Sequence, residues 1–280
     1  MTNGQRCTQP SDYFLGQSSA EHARLQRQAV ELERKSRQHL ECAGIQPGWR
    51  VIDVGCGPQG VLHLLADQVG PTGTVVGLER DPRLAALARA FVAEQGFTNV
   101  EIIQGDARAT GLPRNSFDLV HERLVLVNVP KPEQILAEMV ALARPGGMVA
   151  AYEVDYVSWL CYPANPAWAR IMTAIRAVSL KDSQDCFIGR RLVGLMRAAG
   201  LVEAKQEVSV DEWPADHPRR MYLVHWSENI RERLVARGFF SDAELSELLV
   251  ALRKHLEDPG TVQISPVRFR AWGHKPSVTD

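Results

Sequence analysis

The segment Val51-Ile-Asp-Val-Gly-Cys-Gly-Pro-Gln-Gly60 has the residue types and spacing of a nucleoside site. Gly55, Gly57 and Gly60 spell G-x-G-x-x-G between an apolar run and a helical one. Glycines there let the backbone approach a nucleoside, and an acid roughly 20 residues on accepts hydrogen bonds from ribose hydroxyls. Glu79, closing the next apolar run, stands at that separation. Two further clusters follow, His121-Glu122-Arg123 and Tyr152-Glu153-Val154-Asp155-Tyr156. Strand alternation predicts Glu153 and Asp155 on one face at a strand end, where carboxylates can deprotonate an amine, a hydroxyl or an acidic carbon. His121 is the third candidate base. Metal chemistry is not expected, because the eight histidines show no HxxxH or HxH spacing.

These residues need a scaffold. From Arg50 the pattern alternates strand and helix: strands at 50–54, 74–79, 100–104, 117–120 and 148–154, with helices at 61–68, 82–95 and 131–143 between them. Such alternation implies βαβ units and a parallel sheet. A helix from Ser18 or Ser19 to about Cys42 precedes them. After Asp155 the regularity breaks into two aromatic-rich stretches, 156–188 and 211–260. The expected division is a helical cap at 1–48, a core at 49–155 and a lid insertion at 156–188. A core continuation at 189–210, a second insertion at 211–260 and a last strand with tail at 261–280 complete it. Insertions at the carboxyl ends of strands overhang the ligand crevice. Tyr156, Trp159, Trp213, Tyr222 and Trp226 are therefore the expected substrate contacts.

The glycine loop alone leaves the nucleoside open. Asp53, two residues before the first glycine, would repel a pyrophosphate but suits a sulfonium and an ammonium group. Asp106 in Gly105-Asp106-Ala107 is placed to accept a hydrogen bond from an adenine amino group. At DVGCGPQG (53–60), VVGLE (75–79), QGDA (104–107), FDLVHERLVLVNVP (117–130) and RPGG (144–147) the chain resembles class I S-adenosylmethionine-dependent methyltransferases. The resemblance spans roughly residues 45–155, and Gln59 stands where the family more often has its third glycine. It implies a Rossmann-like doubly wound α/β sheet, mostly parallel with an antiparallel last strand, plus N-terminal helices and helical lid insertions. It also implies S-adenosyl-L-methionine as cofactor, held by Asp53, Gly55, Cys56, Gly57, Glu79, Arg80, Gly105, Asp106, Ala107, His121 and Arg123. Around Tyr13 and Glu21–Gln28 the chain is similar to bacterial small-molecule methyltransferases. That likeness adds Tyr13, Arg24 and Gln28, with Arg24 pairing the methionine carboxylate.

The resulting expectation is methyl transfer to an N, O or C atom of a small organic molecule, a specialised metabolite. The competing readings are an NAD-dependent oxidoreductase using the literal G-x-G-x-x-G and a catalytically silent cofactor-binding regulatory protein. Composition limits partners. With 32 Lys+Arg against 33 Asp+Glu the net charge is −1, which disfavours nucleic acid. No apolar run approaches a membrane span, and the amino terminus lacks a signal-peptide core. Five scattered cysteines without a CxxC pair fit a reducing cytoplasm. A monomer or homodimer is expected.

Overall fold

Strands covered on both faces must be apolar almost throughout, and the runs after Trp49 meet that demand. A computed structural model describes residues 19–182 and 184–277. The elements are α1 (Ser19–Cys42), β1 (Arg50–Val54), α2 (Leu62–Val69), β2 (Thr74–Glu79), α3 (Pro82–Glu94), β3 (Val100–Gln104), β4 (Phe117–Arg123), α4 (Pro132–Leu142) and β5 (Ala143–Asp155). After them come β6 (Leu160–Tyr162), α5 (Pro166–Lys181), α6 (Ile188–Ala198), β7 (Val202–Ser209), α7 (Tyr222–Asn229), α8 (Arg231–Ala236), α9 (Asp242–Glu257), β8 (Val262–Ile264) and β9 (Val267–His274).

Seven strands form one sheet in the order β3-β2-β1-β4-β5-β9-β7. The first five are mutually parallel, and β9 lies antiparallel between β5 and β7. This is the doubly wound α/β sheet expected from the sequence. Its order reverses between β1 and β4, and a ligand crevice opens at the carboxyl ends of strands there. Local chemistry sets the helix starts. Asp81 accepts the backbone N–H of Arg83 at 2.7 Å, and Pro82 fills the first turn of α3. Asn165 caps α5 through the Trp168 N–H at 3.1 Å. Edge strand β7 exposes Glu203, Lys205 and Glu207, charges that discourage edge-to-edge pairing.

One face of the sheet packs Val51, Val75, Leu119 and Ala150 against α2 and α3. The other packs Ile52, Val120, Val149 and Ala151 against α4 and α6. A separate core joins the two aromatic stretches, with Trp159, Trp168, Trp213 and Trp226 packed among α5, α7, α8 and α9. The ribbon β6–β8 ties the first stretch to the segment that follows the second. Three-residue strands have too little periodicity to be read from sequence. Strand β4 also continues through His121, Glu122 and Arg123, past the expected end at Val120. Polarity there does not mark a strand end, because buried partners receive the side chains of His121 and Glu122.

Candidate functional site

The glycine loop is built by hydrogen bonds to the next strand. Gly55 and Cys56 both donate backbone N–H groups to the Leu78 carbonyl, at 2.7 and 3.0 Å, which sets Gly57 over Glu79. Gly57 then donates its N–H to Glu79 Oε2 at 2.9 Å, while Asp81 donates to Oε1 at 2.9 Å. Burial raises the Glu79 carboxyl from its ordinary range, and these backbone donors oppose the rise. Gly57 has φ +61°, and a Cβ built there meets nothing within 4 Å, so open space fronts the loop. Gly60, at φ +52°, is a glycine for another reason. A Cβ there would lie 2.4 Å from the Cys56 carbonyl oxygen and 2.9 Å from Asp53 Oδ2.

The loop forms one side of an open cleft. Neighbouring strands lie ~4.8 Å apart. The end of β2 therefore stands ~14 Å from the end of β5, three strands away. Glu79, Arg80, Asp106 and Ala107 line the β2–β3 side, and Arg24, Gln28, Arg123, Tyr156 and Tyr222 line the other. Asp53, Gly55, Cys56, Gly57 and Gly105 complete the expected residues found at the cleft. Arg108 holds Asp106 through Nε at 3.0 Å and Nη2 at 2.7 Å, and keeps its carboxyl below the usual range.

Other expected residues are placed elsewhere. His121 is fully buried behind Asp53, its Nδ1 2.7 Å from Oδ1, and does not line the cleft. Glu153 and Asp155 do share a face of β5, but it is the face toward α4 and α6. Glu153 accepts the Val127 N–H at 3.2 Å beside Glu122, and Asp155 pairs with Arg190 of α6. Burial pushes the Glu153 carboxyl up to about 7. Neither acid lines the cleft. Trp159, Trp213 and Trp226 sit in the second core instead of the cleft wall. Trp159 packs edge-on to Trp168 and Trp213 at 5.1 and 5.5 Å. Tyr13 lies outside the described residues.

Sequence reasoning passed over Arg108 and Asn128, which also line the cleft. Arg108 was legible as the basic residue two positions after Asp106. Asn128 had no such signal, since its place depends on the turn over which its Nδ2 donates to the Leu124 carbonyl at 2.8 Å. Among the described residues no group of His, Cys, Asp and Glu could hold a metal, and no helix is long and apolar enough to cross a membrane.

The reversal point, the glycine loop and the acid at the end of β2 are those of a class I S-adenosylmethionine-dependent methyltransferase fold. The sequence profile of the methyltransferase-domain family matches residues 45–190, and the chain belongs to that family. Among curated relatives, demethylmenaquinone methyltransferase of Listeria monocytogenes serotype 4a is 33% identical over 138 residues, 49% of this chain and 56% of that protein. The chain thus spans about half the length of the curated relatives it matches. Among solved structures, the YcgJ protein of Bacillus subtilis aligns with TM-score 0.57 at 15% identity, over 85% of this chain and 96% of that one. Haemonchus contortus phosphoethanolamine N-methyltransferase 2, solved with phosphomonomethylethanolamine and S-adenosylhomocysteine, gives TM-score 0.51 at 16% identity, over 86% and 52%.

Proposed function

We propose that the protein transfers a methyl group from S-adenosylmethionine to a small organic acceptor. The observation behind this reading is the open cradle at Gly57 set above Glu79. A carboxylate offers about four lone-pair sites. The backbone N–H groups of Gly57, Asp81 and Arg80 already donate to it. Its remaining acceptor capacity suits a ribose hydroxyl. Asp106 and Arg108 flank the base, while Asp53, on the methionine side, favours the cationic end of the molecule. A dinucleotide would instead bring its pyrophosphate against the Asp53 carboxylate, at a Coulombic cost.

When bound, the cofactor supplies an electrophilic sulfonium methyl. The chain's own part is then to align the acceptor and exclude water. In this reading α1 and the aromatic unit built from 156–188 and 211–260 cover the crevice. Tyr156 and Tyr222 are that unit's contacts with the cleft, and its tryptophans give it rigidity. The test is calorimetry with S-adenosylhomocysteine and with NAD. Binding of the first alone is expected, and binding of NAD alone would overturn the assignment.

A further inference from the structure

Arg123 is unusual among the cleft residues. It ends β4, two strands from Glu79. Desolvation by burial lowers its pKa from the usual arginine value. Among the described residues its guanidinium makes one hydrogen bond, to Ser36 Oγ of α1 at 2.8 Å, and no carboxylate lies within ion-pair distance. Asp53, the acid with the largest charge effect on it, is engaged by His121. A guanidinium carries five N–H donors in a fixed fork shaped for paired oxygens. Arg123 is half-buried and lines the cleft, so its remaining donors are available to an anion there.

Its surroundings fit that reading. Tyr152 is the β5 partner of Arg123 in register, so both side chains leave the same face of the sheet. Tyr152 is 1% exposed and its hydroxyl has no partner. His39 of α1 is fully buried with both ring nitrogens unpartnered, 5.6 Å from the Tyr152 ring and 5.3 Å from His121, whose Nε2 is also unpartnered. On the same side of the cleft stand the phenols of Tyr156 and Tyr222. That side of the cleft thus combines the guanidiniums of Arg123 and Arg24 with an aromatic wall, while the polar groups of Tyr152, His39 and His121 are buried and do not line it.

We infer that this side is an acceptor subsite in which Arg123 binds an anionic oxygen, either a carboxylate or an ionised hydroxyl of an aromatic or enolic acceptor. The inference rests on the methyltransferase reading and deepens it. Arg123 is then a specificity residue for the acceptor and not a ligand of the cofactor, for which Arg24 serves the methionine carboxylate.

The test uses protein loaded with S-adenosylhomocysteine and three probes measured by calorimetry. Benzoate represents a carboxylate, 4-nitrophenolate an ionised hydroxyl, and benzamide a neutral control. The loaded wild type should bind at least one anion better than benzamide. Arg123→Gln should weaken that anion by about tenfold or more, the size of a lost charged hydrogen bond, and Arg123→Lys should restore part of it. Affinity for S-adenosylhomocysteine should stay within about twofold in both variants, which also shows that they are folded. No preference for either anion in the wild type overturns the inference. So does an Arg123→Gln loss confined to S-adenosylhomocysteine and absent for methylthioadenosine, which lacks the methionine carboxylate. Failure of wild type to bind S-adenosylhomocysteine at all refutes the methyltransferase reading itself.

Discussion

Gly57→Ala separates the ligand cradle from the fold. The residue sits at φ +61°, and the left-handed region costs a non-glycine residue about 1–2 kcal/mol. Nothing lies within 4 Å of the added Cβ, so no steric term joins that cost. In a chain of this size the loss corresponds to a fall of about 2–4 °C in melting temperature. The same methyl projects into the space proposed for the cofactor, where a glycine permits close backbone approach. Affinity for S-adenosylhomocysteine should therefore fall by far more than stability does, by about a hundredfold or beyond, as expected for ~3 kcal/mol of overlap. Gly60→Ala is the control with the opposite outcome. Its Cβ would lie 2.4 Å from a backbone oxygen, a contact that forces the loop to move in the free protein. Calorimetry and thermal melts on both variants are sufficient. Normal cofactor binding by a folded Gly57→Ala protein would refute the cradle argument.

Glu79→Ala should weaken S-adenosylhomocysteine by about 1–3 kcal/mol, because a charged acceptor is removed, and calorimetry reads this directly. Burial raises the Glu79 carboxyl, so wild-type affinity should fall as pH drops, from a higher pH than an exposed glutamate would give. Glu153, raised to about 7, holds its proton in the folded state after an unfolded chain has lost it. Stability from this group is therefore present at low pH and declines as pH rises through roughly 4.5 to 7, by up to about 1.4 kcal/mol per pH unit. Glu153→Gln should flatten that decline in melts from pH 5 to 8, and parallel curves would exclude the mechanism. Trp159→Ala should cost about 3–5 kcal/mol of stability while leaving S-adenosylhomocysteine affinity near wild type. A large affinity loss in folded protein would return Trp159 to the cleft.

The glycine-loop half of the cleft was legible in the chain because its information is local. A glycine loop, the acid ending β2 and the Gly105-Asp106 turn each declare themselves through backbone needs met within a few residues. Strand alternation likewise follows from short-range apolar runs, and so the sheet and its helices could be read at nearly their true bounds. The half proposed for the acceptor could not be read this way. Alternation correctly put Glu153 and Asp155 on one side of β5, but which side faces ligand depends on where α6 packs, and α6 takes Asp155 through Arg190. The tryptophans at 159, 213 and 226 looked like pocket walls because they are large, aromatic and close to the crevice in sequence. Residues from both stretches supply the rest of the core that buries them, a pairing no local pattern specifies. Arg123 was read as one of many cofactor ligands. The acceptor role proposed for it rests on α1 bringing Ser36 to its guanidinium, on β5 bringing Tyr152 alongside, and on no carboxylate among the described residues pairing with it. Short-range pattern determined the elements and the nucleoside loop; the distribution of buried charge was decided by long-range packing, because an ion's partners are set by what surrounds it in space.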